Sequence, residues 1–175
     1  IYGSLKQGAR AKDFEMAIQW LADAGLVYKV PLCKEVKLPL KMYEDPSAFK
    51  LFTLDLGLLG AMVGTEAKQV LIKNDIFSEY KGGFTEQFVL EEMKSNGEEN
   101  IFYHKSDDGT RLEIDFMIQR DGKLLPIEVK AEGNVRANSL SNLLKQTPEL
   151  HAFRYSMKPY IEQEHITCYP LYAIQ

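Results

Sequence analysis

The apolar positions fall into short periodic blocks separated by turn residues. In residues 11–24 (AKDFEMAIQWLADA), Phe14, Ala17, Ile18, Leu21 and Ala22 recur at three-to-four spacing, which predicts a helix stopped by Gly25. Residues 26–30 (LVYKV) read as a strand ended by Pro31, and the polar stretch 31–48, with Pro39 and Pro46, as a loop or wing. Helix, strand and basic turn together suggest a winged-helix-like segment. Residues 49–64 are apolar and fit either a strand or a short helix. Residues 66–80 and 84–96 read as two helices parted by Gly82-Gly83. Strands are expected at 100–105, 152–157 and 166–174, and a helix at 139–146, where Leu140, Leu143 and Leu144 share a side. The order predicts an α/β fold, divided as 1–64 and 65–175.

The strongest pattern is RLEIDFMIQRDGKLLPIEVKAEG (111–133), two apolar runs around Asp121-Gly122. A two-residue turn there pairs Arg120 with Lys123. The same register sets Asp115 opposite Glu128 and Glu113 opposite Lys130. Strict alternation then puts all four polar groups on one face. Leu112, Ile114, Phe116 and Ile118, with Leu125, Ile127, Val129 and Ala131, form the apolar face. Directly opposed carboxylates repel unless a proton or a cation lies between them. Two readings follow: a solvated face holding a Glu113–Lys130 ion pair, or a carboxylate site for a divalent cation. A third acid bears on the choice. Glu86 lies on the helical stripe of Val89, Leu90 and Met93, so it points toward the protein, whereas Glu91 and Glu92 fall in the polar arc.

Composition narrows the classes. The chain is 45% hydrophobic and 26% charged, as a globular protein is, and has no apolar run of membrane-spanning length or signal-peptide pattern. The missing initiator Met suggests a piece of a longer protein. Cys33 and Cys168 make no disulfide framework, so a reducing cytoplasm is expected. A net charge of −4 argues against coating nucleic acid by charge alone. The charge is uneven, with 8 Lys+Arg and 6 Asp+Glu in residues 1–50 against 13 and 19 in the rest.

Other motifs are weaker. GSLKQG (3–8) lacks the Lys and Ser/Thr of a phosphate-binding loop, so ATP hydrolysis by these residues is not expected. His104, His151 and His165 have no ligand spacing. Trp20 reads as a packing anchor. Arg136 and Lys145 flank the helix after the Glu-x-Lys strand as minor candidates for phosphate contact.

Glu in a helix, then Asp, then Glu-x-Lys resembles the PD-(D/E)xK nuclease superfamily. PLKMYEDPSAFKLFTLDLGLLGAMVG, GGFTEQFVLEEM, RLEIDFMI and KLLPIEVKAEGNVRANSL also resemble the C-terminal region of prokaryotic AAA-type ATPases, itself a domain of unknown function. RAKDFEMAIQWLADAGLVYKV resembles the linking segment before it. The resemblance implies a restriction-endonuclease-like mixed sheet flanked by helices. By motif position it implies a catalytic set of Glu86, Asp115, Glu128 and Lys130, with Glu86, Asp115 and Glu128 holding Mg²⁺ or Mn²⁺. The implied partners are the ATPase domain of the same full-length chain and DNA, without a membrane and with an oligomer allowed. No Pro precedes Asp115, which departs from the superfamily wording.

Three functions follow as alternatives. The first is metal-dependent phosphodiester hydrolysis. The second is a catalytically silent regulatory or partner-binding module. The third is a front region, helix 11–24 with the basic stretch 29–41, that grips DNA backbone.

Overall fold

The computed structural model describes residues 11–64, 78–106, 112–131 and 138–174. Helix α1 (Ala11–Asp23) ends at Gly25, whose φ of +71° closes the last turn, with the Gly25 N–H donating to the Ala22 carbonyl. Trp20 does not anchor packing as expected: it stands 68% exposed on this helix, one turn from exposed Met16.

Strand β1 (Val27–Cys33) continues past Pro31, with a register irregularity between Pro31 and Leu32. A proline cannot donate to a ladder, so a bulge is where a strand tolerates one. After a short 3-10 turn (Leu40–Tyr43), β2 (Glu44–Thr53) returns antiparallel to β1, so much of the expected loop 31–48 is strand. The ambiguous apolar stretch proves to be both alternatives in succession, the end of β2 and then α2 (Leu56–Val63).

Asp55 caps α2, its carboxylate accepting from the Leu58 N–H at 2.7 Å. Such a cap contributes about 1 kcal/mol. Asp55→Ala should therefore lower the unfolding free energy by about that amount in a denaturant titration. A change below a few tenths of that would show that α2 adds nothing to cooperative stability.

Helix α3 (Ser78–Ser95) runs unbroken through Gly82-Gly83. Of the helix expected at 66–80, residues 65–77 lie outside the described residues and 78–80 belong to α3. Strands β3 (Phe102–Lys105), β4 (Glu113–Arg120) and β5 (Lys123–Lys130) precede α4 (Asn138–Gln146). Strands β6 (Ala152–Ser156), β7 (Ile161–Glu162) and β8 (Ile166–Pro170) follow it.

The eight strands form one mixed sheet in the order β2-β1-β3-β4-β5-β6-β8-β7. Parallel pairing of β1 with β3, Leu32 beside Tyr103, joins the segment before residue 65 to the one after it. An apolar cluster lies on each face. Val89, Leu90 and Met93 of α3 pack with Val30, Phe116, Ile118, Ile127, Val129 and Tyr155. On the other face, Leu140, Leu143 and Leu144 of α4 pack with Leu112, Ile114, Met117, Leu124 and Ala152. The molecule is thus a mixed α/β fold with four α-helices among the described residues. None of these helices is long and apolar enough to cross a membrane.

Candidate functional site

The β4–β5 hairpin has the expected register. Arg120 faces Lys123 and the pairing continues to Phe116 opposite Ile127. The expected faces do not survive beyond that pair. On its other side β4 pairs Met117 with Phe102 but Ile114 with His104, so an extra residue of β4 is accommodated between them. This bulge breaks the period of two. Ile114 joins the α4 cluster while Phe116, two residues on, joins the α3 cluster.

Asp115 occupies the bulge. Its Oδ2 accepts from the Val129 N–H at 2.7 Å, so the carboxylate stands where the partner strand's carbonyl would otherwise be. Burial is the main force that pushes the Asp115 carboxyl up, to about 6, and the charge of Glu86 adds to it. The Val129 N–H, Lys130 and Lys50 oppose the rise. Glu86 comes from α3, one turn before the buried Val89–Leu90 pair, and is half-buried. Burial raises its pKa too, opposed by Lys50 and reinforced by Glu113.

The partners of the remaining charges differ from the sequence reading. Glu113 pairs with Lys50 of β2 (2.8 Å), not with Lys130. The same Lys50 ammonium lies 3.7 Å from Glu86. Glu128 is paired with cations from two strands. It is 3% exposed and is held by Arg154 of β6 (Nε–Oε2, 2.9 Å) and by Lys130 (Nζ–Oε1, 3.1 Å). Alternation along β5 explains this: Ile127 and Val129 face α3, so Glu128 faces the side of Leu124 and Ala152. Lys130, at the end of β5, is half-buried, and its charge still acts on both Glu86 and Asp115.

The structure therefore gathers Glu86, Asp115, Glu113, Lys50 and Lys130 around one corner, with Glu128 paired to Lys130. Among the described residues, no three His, Cys, Asp or Glu side chains gather closely enough to hold a metal ion alone. Mg²⁺ is usually held by one or two carboxylates together with substrate phosphates, and the corner offers the carboxylates of Glu86 and Asp115.

Sequence reading missed Lys50 and Arg154. Each left a trace, a long cation spaced two residues from apolar or small inward residues: Ala48-x-Lys50-x-Phe52 and Ala152-x-Arg154-x-Ser156. Glu91 also departs from the polar arc assigned to it, its Oε2 accepting from the Leu56 N–H at 3.1 Å.

Three of the front lysines are paired within their own segment. Lys34 pairs with Asp45, Lys37 with Glu35, and Lys41 with Glu44. Arg136 lies outside the described residues, and Lys145 is exposed on the last turn of α4.

Two family models match the chain. One, described as Domain of unknown function (DUF4143), covers residues 81–173, and the other, Domain of unknown function (DUF8612), covers residues 1–69. No curated protein and no solved structure matches.

Proposed function

We propose, for a chain that belongs to the DUF4143 family, that the corner of Glu86 and Asp115 is the metal-holding part of a PD-(D/E)xK-type phosphodiesterase site acting on DNA. The observation that carries this reading is the placement of Asp115. A bulge interrupts β4 there, the carboxylate enters the gap beside Val129, and Glu86 and two lysines converge on it from three other elements. Bulges re-aim side chains beside active sites, and buried like charges with raised pKa values mark sites built for a proton or a cation.

Glu86 and Asp115 would hold Mg²⁺ or Mn²⁺, whose chemistry is to polarise a phosphoryl oxygen and lower the pKa of bound water. Lys130 supplies a fixed ammonium to the scissile phosphate. Glu128 keeps it in place at 3.1 Å and is itself anchored by Arg154. The sheet with α3 on one face and α4 on the other suits a restriction-endonuclease-like fold. In this reading the chain is the C-terminal part of a AAA-type ATPase, whose ATPase domain moves or gates the DNA.

A second reading, a silent regulatory module, is favoured by a separate observation: Glu113 and Glu128 are already neutralised by Lys50, Lys130 and Arg154. Calorimetric titration with Mn²⁺, paired with a plasmid cleavage assay, separates the two. The nuclease reading expects Mn²⁺ binding that Asp115→Ala abolishes, and cleavage that Lys130→Met lowers about 100-fold. Mn²⁺ binding without cleavage of DNA supports the regulatory module. No binding removes the metal site.

A further inference from the structure

We propose that Lys50 is the resident cation of this site: its ammonium occupies the approach to Glu86 and must withdraw onto Glu113 before a divalent ion binds. The inference rests on the reading of Glu86 and Asp115 as a metal-holding pair and adds a residue from another segment of the chain to it.

Lys50 lies on β2, opposite Val30 of β1, on the same side as Ala48 and Phe52, which pack against the α3 cluster. Its ammonium sits 5.1 Å from the centre of the Tyr103 ring, and its side chain is 25% exposed, against 28% for Glu86. It is therefore not a freely sampling surface lysine. The strand end is fixed as well. Three residues on, the backbone of Thr53 makes two hydrogen bonds to the side-chain amide of Gln87, which lies next to Glu86 on α3.

The unequal contacts indicate how the ammonium moves. Lys50 is 2.8 Å from Glu113 but 3.7 Å from Glu86, so it is tethered to the first and only leans toward the second. A small rotation frees the Glu86 carboxylate while the Glu113 pair persists. In exchange a divalent ion brings two charges to Glu86 and Asp115 where the lysine brought one. Cations close together in a half-buried site repel strongly, so ammonium and metal compete for Glu86. The competition is reciprocal, since whatever Lys50 costs the metal, the metal costs the Lys50–Glu86 contact.

Two measurements on the whole chain test this. Lys50→Met keeps the apolar stem beside Tyr103 and removes the charge. Its Mn²⁺ affinity should rise at least about tenfold over wild type in calorimetry. In the unaltered protein, saturating Mn²⁺ should raise the acetylation rate of Lys50 by acetic anhydride severalfold, read by mass spectrometry of the peptide. That second arm decides the matter where Lys50→Met fails to fold. Equal or weaker Mn²⁺ binding by Lys50→Met overturns the role of Lys50 alone, as does an acetylation rate that Mn²⁺ leaves unmoved. Failure of the wild type and the variant alike to bind Mn²⁺ overturns the metal reading beneath it as well.

Discussion

Asp115→Asn is expected to make the metal-free protein more stable at ~pH 8 by about 3 kcal/mol, while removing its affinity for Mn²⁺. Burial, with Glu86 next, lifts the folded-state pKa of Asp115 to about 6, from an ordinary value of 3.8. The folded chain therefore binds more protons than the unfolded one between those values. The sign follows: this carboxyl costs nothing below ~pH 4, and its penalty grows as pH rises to ~6 and then stays constant. Asparagine has the same shape, carries no charge, and retains a carbonyl oxygen for the Val129 N–H. Urea titrations in EDTA at ~pH 4.5 and ~pH 8 check this. The variant should gain about a third as much at the lower pH as at the higher one. A loss of stability at ~pH 8 would mean that the Asp115 anion is already well compensated by Lys50 and Lys130, and that the corner has no need of a cation. Stabilisation coupled to loss of binding is the exchange expected where a site holds like charges together for function.

Gln87→Leu is the substitution expected to do the most structural damage. Gln87 is 1% exposed, and its amide treats Thr53 as a neighbouring strand would. Its Oε1 accepts from the Thr53 N–H at 3.0 Å, and its Nε2 donates to the Thr53 carbonyl at 2.8 Å. Among the described residues β2 is an edge of the sheet, so this amide acts where an outer strand would. Leucine fills the space and leaves a buried donor and a buried acceptor without partners. The expected cost is about 2–4 kcal/mol, read as a lower midpoint in urea at unchanged slope. A cost under about 1 kcal/mol would show that water reaches the end of β2 and that α3 does not hold it. The consequence extends to the site, because Lys50 lies on that strand and Glu86 precedes Gln87 on the helix.

Much of the architecture is legible in the residues. Asp121-Gly122 sets the hairpin register, because only a two-residue turn brings Arg120 to Lys123. The apolar stripe of Val89, Leu90 and Met93 identifies the buried side of α3, and Leu140, Leu143 and Leu144 that of α4. The bulge at Asp115 is not legible. Ile114, Phe116, Met117 and Ile118 are apolar in both parities, so no polar residue marks where the alternation slips. The slip carries over to the pairs read across the hairpin: setting Glu113 opposite Lys130 requires unbroken alternation, and Glu113 pairs with Lys50 instead. Gly82-Gly83 misleads for a different reason. Each glycine costs a helix about 1 kcal/mol, which tertiary packing of the rest of α3 can offset. Lys50 stayed hidden because residues 49–64 carry no period, and its partners lie more than 35 residues away on α3 and β4. Charge networks assembled across a sheet leave only a faint local trace, whereas helix stripes and hairpin turns are local.

The most direct test of a cation shared by Glu86 and Asp115 is a crystal structure of the protein soaked in Mn²⁺, with anomalous scattering measured at the manganese edge. A peak is expected between those two carboxylates, with the Lys50 ammonium drawn off Glu86 onto Glu113. Fully occupied manganese elsewhere on the surface, with nothing at that corner and the Lys50–Glu86 contact intact, would contradict it.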